Sequence, residues 1–240
     1  MAETLGDEVS DDVGEGALIC FEGLDGSGKT TCARSVAAAL AAGGVDAKLV
    51  ERKDPDCGTY ELTQRMKLLK TLIWEYGDVP ISELGDYHAL YNMASWFSAI
   101  DFRKIRPLLA AGVTVVMDNW YFKILSRFAL KKTMDMNHQR ACFNHLTRPD
   151  LIIYLDVTPE VAVARKSEFG KGETGFFDGL GQPSSQTFIR YQSHVRHIMS
   201  RLARTEGWLS IEVNDKTPEQ VASLVVEAIN IKRASGNLKG

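Results

Sequence analysis

The residues with the clearest chemistry lie in a glycine-rich segment near the start of the chain. Gly23-Leu24-Asp25-Gly26-Ser27-Gly28-Lys29-Thr30 matches the pattern G-x-x-x-x-G-K-[ST]. The glycines let successive backbone N–H groups turn inward around a polyphosphate, and a helix that begins near Gly28 points its positive end at the same oxygens. Lys29 can then neutralise a phosphoryl group, and the Thr30 hydroxyl is placed to ligate Mg²⁺. The segment therefore predicts a site for a polyphosphate and magnesium.

The elements that must position this segment can be predicted from hydrophobic patterning. Short apolar runs typical of strands buried on both faces cover residues 17–21, 47–50, 113–117, 151–155 and 209–213. Stretches with helical period cover residues 29–42, 60–75, 83–111 in one or two pieces, 121–146, 160–168, 185–206 and 218–232. Strands that alternate with helices predict an α/β fold with a mainly parallel sheet covered on both faces.

One stretch breaks this alternation. Residues 168–184 are rich in glycine and phenylalanine and have no helical or strand period. We expect a long mobile loop here, and such loops often form active-site lids, although a plain disordered insertion is the alternative.

Residues after two other predicted strands bear on the class of nucleotide-binding protein. Asp118 ends the third strand and suits a second, water-mediated hold on Mg²⁺. The following Asn119-Trp120-Tyr121 provides neither the D-x-x-G switch of GTPases nor the paired acids of many ATPases. Asn214-Asp215-Lys216 after the last strand does not have the guanine-reading order N-K-x-D. The sequence therefore disfavours a GTPase.

Charge and composition exclude several other classes. The 240 residues carry 28 Lys and Arg against 31 Asp and Glu, which gives a net charge of −3. Six of the acidic residues fall within residues 1–16, where no basic residue occurs, so we expect a flexible acidic tail and a single domain over residues 17–240. Without the tail the charge is about +3, which suits phosphate ligands and is too small to indicate nucleic acid binding.

The chain also lacks the sequence features of membrane and secreted proteins. It has no run of roughly 20 apolar residues and no basic, apolar signal segment at its start, so we expect no membrane association and a cytoplasmic location. The four cysteines, at positions 20, 32, 57 and 142, have irregular spacing and are expected to be free thiols.

Four segments in the same order resemble the thymidylate kinase family of P-loop nucleotide kinases. The first is Phe21-Glu22 continuing through the glycine-rich segment to Thr31. Residues 52–59 (R-K-D-P-D-C-G-T) resemble the R-E-P-G-G-T segment of that family, and Arg65 stands where a helix arginine is expected. Residues 155–165 resemble the fourth strand and the entry to the lid, and residues 213–221 resemble the loop that packs on adenine.

This resemblance implies a P-loop kinase fold with three layers, a five-stranded parallel sheet in the order 2-3-1-4-5 and a lid over about residues 166–184. It also implies ATP as donor, a nucleotide-like acceptor and homodimers. Asp25 would contact the sugar of the acceptor, while Arg165, Lys166 and Lys171 would bring positive charge from the lid to the donor phosphates. The residues expected to bind the donor are Gly23, Asp25, Gly26, Ser27, Gly28, Lys29, Thr30, Thr31 and Lys171.

The sequence departs from the family at the acceptor's phosphate. The family has an arginine directly after the aspartate of the third strand, and this chain has Asn119, whose amide cannot form a charge-assisted fork with a phosphate dianion. A second family arginine on the preceding helix is not matched at the usual distance by Arg103. Lys123 and Arg127 are four residues apart and would share a helix face, so they could supply the missing charges or be surface cations.

These departures leave the nature of the acceptor open. A phosphate acceptor needs only positioning, whereas a hydroxyl acceptor needs a carboxylate to take its proton, and Asp54 is the best candidate for that base. Trp96 and Trp120 could stack on a planar base or belong to the core. Three hypotheses remain: a kinase for a nucleoside monophosphate, which is preferred; a kinase for a nucleoside-like hydroxyl; and a nucleotide-binding regulatory protein without catalysis. An ATP-dependent ligase would not explain the lid-like stretch.

Overall fold

The computed structural model describes residues 16–75, 77, 79 and 81–239. The predicted acidic tail therefore lies outside the described residues, apart from Gly16.

Five parallel strands form a single sheet in the described part of the chain. They are β1 (Leu18–Gly23), β2 (Ala47–Val50), β3 (Thr114–Met117), β4 (Leu151–Asp156) and β5 (Leu209–Glu212). Their order is β2-β3-β1-β4-β5, which confirms the predicted α/β fold and strand order. The central strand β1 is buried along its whole length, and Cys20 lies opposite Met117 of β3 and Ile152 of β4. Its buried aliphatic side chains form the centre of the core.

Helices connect these strands and pack on the sheet. They are α1 (Lys29–Ala42), α2 (Tyr60–Trp74), α3 (Asp86–Ile100), α4 (Arg106–Ala110), α5 (Phe122–Phe128), α6 (Met136–Ala141), α7 (Pro159–Ala164), α8 (Ser185–Thr205) and α9 (Pro218–Ala234). Helix α1 packs against α9, while α8 packs against α5 and α7. None of the helices in the described ranges has the length and apolarity to cross a membrane. All four cysteines are free thiols, as predicted.

One predicted long helix is interrupted, and the stretch predicted as one or two helices over residues 83–111 forms two. Residues 121–146 form α5 and α6 rather than one helix, because the Asp135 side chain accepts a hydrogen bond from the backbone N–H of Asn137 at 2.8 Å and starts a new helix there. Between α3 and α4 the chain forms a π-helical turn over Asp101–Ile105, in which the buried Asp101 carboxylate accepts a hydrogen bond from Arg106. Before α3 a 3-10 helix covers Ile81–Leu84.

The segment predicted as a lid is not without structure. It contains two single turns of 3-10 helix, Lys171–Glu173 and Phe176–Asp178.

Because all five strands run parallel, the connections that follow them meet at one edge of the sheet, and the glycine-rich loop lies there after β1.

Candidate active site

The glycine-rich loop joins the buried strand β1 to helix α1. Gly26 and Gly28 have φ angles of +83° and +92°, which favour glycine, and a Cβ atom at Gly26 would lie 2.6 Å from the carbonyl oxygen of Ala162. The Lys29 ammonium donates hydrogen bonds to the Leu24 carbonyl and the Ser27 hydroxyl. Burial lowers the pKa of Lys29, and the carboxylates of Asp25 and Glu22 oppose this shift. The loop therefore presents backbone N–H groups and a buried cation on one concave surface.

The start of α1 and the end of β3 place two oxygen ligands together. The Thr30 hydroxyl donates a hydrogen bond of 2.9 Å to Asp118 Oδ2, and the backbone N–H of Arg52 donates one of 3.0 Å to Asp118 Oδ1. Among the described residues there is no group of three or more His, Cys, Asp or Glu side chains that could hold a metal alone. A hydroxyl and a carboxylate beside a phosphate loop fit Mg²⁺, which usually takes one or two protein ligands and completes its shell with water and phosphate oxygens.

The loop forms one wall of a cavity of about 190 Å³, here called the loop cavity. Its other walls come from the Arg52 segment after β2, from Asp118 and Asn119 after β3, and from Lys166. Of the predicted donor-binding residues, six line this cavity: Asp25, Gly26, Gly28, Lys29, Thr30 and Thr31. Gly23 and Ser27 are buried beneath it.

A second cavity of about 380 Å³, here called the side cavity, adjoins the loop cavity. Asp25, Arg52 and Lys123 line both cavities, so the two meet at these three side chains. Apolar walls of the side cavity come from helices α2, α3, α5 and α8, and the lid segment contributes the remaining wall. Two larger depressions, of about 580 and 530 Å³, are lined neither by the glycine-rich loop nor by Arg52 or Asp118.

Asp25 is the centre of a cluster of charges at this junction. Its Oδ1 accepts a hydrogen bond of 2.8 Å from the Lys123 ammonium, and its Oδ2 accepts hydrogen bonds from Arg127 and, at 3.3 Å, from the Gln192 amide. Burial would raise the pKa of the Asp25 carboxyl, but Lys123, Arg127 and Lys29 outweigh it and hold this pKa well below its usual value. Burial lowers the pKa of Lys123 to about 7 despite the attraction of Asp25. Asp25 is therefore a permanent anion shared by two cations of α5.

Glu22 lies beneath this cluster and was not predicted as a functional residue. Its carboxylate is fully buried and accepts hydrogen bonds from Asn119 Nδ2 at 2.7 Å and from the Trp120 backbone N–H at 3.0 Å. Burial raises the pKa of Glu22 to about 7, although Lys123 and Lys29 oppose this shift. The sequence feature that could have identified Glu22 is an acidic residue inside an otherwise apolar strand, since a charged residue is rarely buried without a partner.

Comparison with known proteins identifies the family of this chain. The family model described as thymidylate kinase matches residues 21–225. The chain belongs to the thymidylate kinase family.

Relatives in three organisms agree with this assignment. A thymidylate kinase of Caenorhabditis elegans is 31% identical over 206 residues, which cover 83% of this chain and 84% of the relative. A probable thymidylate kinase 2 of Saccharolobus solfataricus is 28% identical over 211 residues, which cover 83% of this chain and 89% of the relative. A thymidylate kinase of Pelodictyon phaeoclathratiforme is 32% identical over 152 residues, which cover 62% of this chain and 65%, just under two thirds, of the relative. Family membership places the chain among the nucleotide phosphotransferases.

In this thymidylate kinase family member the position after Asp118 cannot supply a cation. The Asn119 side chain is 2% exposed and its amide donates to Glu22. Lys123 and Arg127, by contrast, both reach Asp25 and line the side cavity, so they do not behave as surface cations. Arg52, for which the sequence predicted no role, lines both cavities.

Several residues predicted to bind the acceptor lie elsewhere. Asp54 lines neither cavity, and its carboxylate accepts hydrogen bonds from Lys104 at 2.8 Å and from the Asp56 backbone at 3.1 Å. Arg103 donates to the Cys57 carbonyl at 3.3 Å, and Arg65 is exposed on α2 and borders neither cavity. The structure therefore does not bring these three together with the glycine-rich loop.

Both predicted stacking tryptophans are fully buried. Trp96 Nε1 donates a hydrogen bond of 2.9 Å to the Arg52 carbonyl, and the Trp96 ring packs edge-on against Trp74. Trp120 Nε1 donates to the Thr147 carbonyl at 3.3 Å. They are core residues, and Trp96 also supports the segment that carries Arg52.

The predicted lid cations divide among three places. Arg165 donates hydrogen bonds to the carbonyls of Val213 at 2.7 Å and Asn214 at 3.0 Å, so it holds the loop after β5. Lys166 lines the loop cavity and forms an ion pair of 3.0 Å with Glu173. Lys171 lines the side cavity, with its ammonium 5.3 Å from the ring centre of Phe176. Lys166 is therefore the lid cation that borders the glycine-rich loop.

Proposed function

We propose that the protein is a Mg²⁺-dependent kinase that transfers the γ-phosphoryl group of ATP to the phosphate of a nucleoside monophosphate. A pyrimidine nucleotide resembling thymidylate is the preferred acceptor. The observation that carries this proposal is the meeting of two cavities at Asp25, Arg52 and Lys123. One cavity has the walls of a polyphosphate site, and a phosphoryl group can pass from it to a second molecule in the other.

The charge of the side cavity supports a phosphate acceptor over a neutral hydroxyl acceptor. Six cations and three carboxylates line the side cavity. A neutral nucleoside would leave the excess positive charge without a counter-charge in a partly buried site. The cations are Arg52, Lys53, Lys123, Arg127, Lys131 and Lys171, and the carboxylates are Asp25, Glu173 and Asp178.

The position of the carboxylates supports the same choice. A hydroxyl acceptor needs a base within hydrogen-bond reach, and Asp54 lies outside both cavities in an ion pair with Lys104. Asp25 lines both cavities, but its cationic partners hold its pKa well below the usual value, so it is a weak base. A phosphate monoester needs no base because it is already an anionic nucleophile near neutral pH.

The apolar walls of the side cavity suit a planar base. Trp74, Met93, Phe128 and Tyr191 line this end of the cavity. The names of the relatives support thymidylate as the acceptor.

Thr30 and Asp118 would hold Mg²⁺ when it is bound. The ion would shield the negative charge of the donor phosphates. Lys29 and the backbone N–H groups of the loop bind the same phosphates, and Lys166 covers them from the lid side. Catalysis then rests mainly on positioning and on charge neutralisation in a site with restricted access to water.

We further propose that the protein acts as a homodimer in the cytoplasm. A cytoplasmic location would give the proposed enzyme access to ATP. The dimer is supported by a row of exposed apolar side chains on α2 (Tyr60, Leu68 and Leu72) and a second exposed group on α3 and α6 (Tyr87, Tyr91 and Met136).

A coupled ADP-release assay with ATP and Mg²⁺ tests this proposal. Thymidine, uridine, cytidine and their 5′-monophosphates serve as acceptors, and the Lys29→Met variant is the control for transfer at the glycine-rich loop. We expect turnover with at least one pyrimidine monophosphate and a loss of roughly 10²-fold or more in Lys29→Met.

Three other outcomes would contradict the proposal in different ways. Turnover with nucleosides only would favour the hydroxyl acceptor. ATP binding without turnover on any acceptor would favour the regulatory protein, for which the amide at Asn119 is the supporting feature. Equal turnover of wild type and Lys29→Met would remove the loop from the mechanism.

A further inference from the structure

The cation that accompanies the transferring phosphoryl group has to lie where the two cavities meet. Arg52 and Lys123 are the cations that line both cavities among the described residues. Arg127 lines the side cavity and Lys29 lines the loop cavity. Position 119, directly after Asp118, provides an amide bound to Glu22 and no charge.

Lys123 has the geometry of a functional cation and not of a surface residue. It lies in the first turn of α5 with 2% of its surface exposed, and its ammonium is 2.8 Å from Asp25 Oδ1. Placing an ammonium in such a buried position costs free energy unless a partner compensates it. Burial lowers the pKa of Lys123 to about 7, and an additional anion beside it would favour the charged form.

The partners of Asp25 allow Lys123 to change contacts. Asp25 accepts hydrogen bonds from Lys123, Arg127 and the amide of Gln192. If Lys123 turned toward a phosphoryl group, Arg127 and Gln192 would keep the carboxylate paired. The arrangement therefore avoids the large penalty of leaving a buried charge without a partner.

We propose that Lys123 is a catalytic residue that contacts the phosphoryl group during its transfer, and that Arg127 acts as a binding residue for the acceptor and for Asp25. In this family member the cation would thus come from the first turn of α5 in place of the residue after Asp118. The inference rests on the proposed function, since it assigns a role within that reaction.

The transfer step itself needs no proton from Lys123. An oxygen of the acceptor's phosphate forms a bond to the γ-phosphorus of ATP, and the bond from that phosphorus to the oxygen bridging it to the β-phosphate breaks. ADP leaves with the electron pair of the broken bond. The Lys123 ammonium stays protonated throughout and donates hydrogen bonds to the non-bridging oxygens, where charge must be neutralised.

Matched variants separate the two cations of α5. Lys123→Met and Arg127→Met each replace one partner of Asp25 with a neutral, unbranched side chain. Steady-state kinetics with the monophosphate acceptor identified by the panel gives kcat and acceptor KM for each. We expect Lys123→Met to lower kcat by roughly 10²-fold or more at saturating acceptor. We expect Arg127→Met to raise the acceptor KM about tenfold and to lower kcat clearly less than Lys123→Met does, because Gln192 is then the remaining partner of Asp25 when Lys123 turns away.

Two further variants test whether charge is what position 123 supplies. Lys123→Arg keeps the charge and should retain at least about ten times the kcat of Lys123→Met. The double variant Lys123→Met with Asn119→Arg restores the cation at the position where the family has it, and we expect it to recover at least about tenfold over Lys123→Met. Circular dichroism and MgATP binding establish that each variant is folded.

The results distinguish this inference from the proposed function. If wild type transfers phosphoryl groups but Lys123→Met keeps its kcat within about threefold, the inference is wrong and the proposed function stands. A double variant that is folded and binds MgATP but stays as slow as Lys123→Met would also overturn the inference. If wild type transfers to no monophosphate, the proposed function itself fails.

Discussion

At the scale of single residues, Glu22 shows how a buried acid is tolerated in an apolar strand. It is surrounded by the core side chains of β1 on either side in sequence, yet both of its carboxylate oxygens accept hydrogen bonds from the segment after β3. These bonds hold Asn119 and Trp120 next to Asp118. Glu22 is therefore a structural link between the strand that precedes the glycine-rich loop and the residue proposed to ligate magnesium.

The ionisation of Glu22 should make stability depend on pH. Burial raises the pKa of Glu22 from the usual 4.5 to about 7, so the folded protein keeps a proton that the unfolded chain loses. Its contribution to stability is complete below pH 4.5 and is lost as the pH rises toward 7. Burial lowers the pKa of Lys123 from 10.5 to about 7. Between these two values the unfolded chain keeps a proton on Lys123 that the folded protein has lost, so the stability of the folded protein rises with pH in that range.

The Glu22→Gln variant tests this dependence. Gln cannot ionise, so the Tm of the variant minus the Tm of wild type should be more positive at pH 8 than at pH 5, by a few degrees. Thermal unfolding followed by circular dichroism at both pH values gives this difference. The charged groups that face Glu22 are Lys123, Lys29 and Arg52, and they are unchanged in the variant. A difference that is equal at both pH values, or larger at pH 5, would contradict the assignment.

At the scale of secondary-structure elements, α3 positions the segment after β2. Trp96 of α3 donates a hydrogen bond to the Arg52 carbonyl, and the Arg52 N–H donates to Asp118. The backbone of Arg52 therefore connects α3, which lines the side cavity, with Asp118 at the end of β3. The side chain of Arg52, which lines both cavities, depends on this anchoring.

Trp96→Phe should weaken acceptor binding. The variant keeps most of the buried aromatic volume but leaves the Arg52 carbonyl without this donor, which costs roughly 1–3 kcal/mol. We expect the acceptor KM to rise about tenfold while the KM for ATP changes by less than about threefold, as measured by steady-state kinetics.

Trp208→Phe is the matched control for this change. Trp208 lines neither cavity, and its Nε1 has no hydrogen-bond partner among the described residues. Both KM values should therefore remain within about twofold of wild type. An equal effect of the two substitutions would show that the loss of a buried indole, and not the Arg52 contact, is responsible.

At the scale of the whole molecule, exposed apolar side chains point to self-association. Tyr60, Leu68 and Leu72 are spaced at multiples of four along α2, so they share one face of the helix. Leu68 has 74% of its surface exposed, which is unusual for a leucine in such a row. A second copy of the chain is the proposed occupant of this face.

Leu68→Glu should convert the dimer to a monomer. A carboxylate in the middle of an apolar interface would be desolvated without a partner, which strongly disfavours association. Sedimentation velocity of wild type and variant measures the change, and circular dichroism checks the fold. Leu224→Glu, at an exposed leucine of α9, is the control and should remain a dimer. A wild-type protein that sediments as a monomer would contradict the proposal directly.

The sequence by itself determined the elements that depend on local pattern. The spacing of the glycines, Lys29 and Thr30 identified the loop, and the alternation of apolar runs with helical stretches predicted five parallel strands, each within a few residues of its observed bounds. Such patterns are readable because a strand buried on both faces and the helix that follows it impose their own periodicity. The interruption between α5 and α6 was not predicted, because a helix start at Asp135 depends on one side chain.

Only the tertiary structure decided which charged groups meet at the site. Lys123 and Asp25 are 98 residues apart in sequence, and Asn119 and Glu22 are 97 apart. From the sequence Asp54 was the best candidate for a base, but its side chain lies beside Lys104 and outside both cavities. Such pairings depend on which strands are neighbours in the sheet and on which side chains are buried against them, and neither is encoded in the local spacing of residue types.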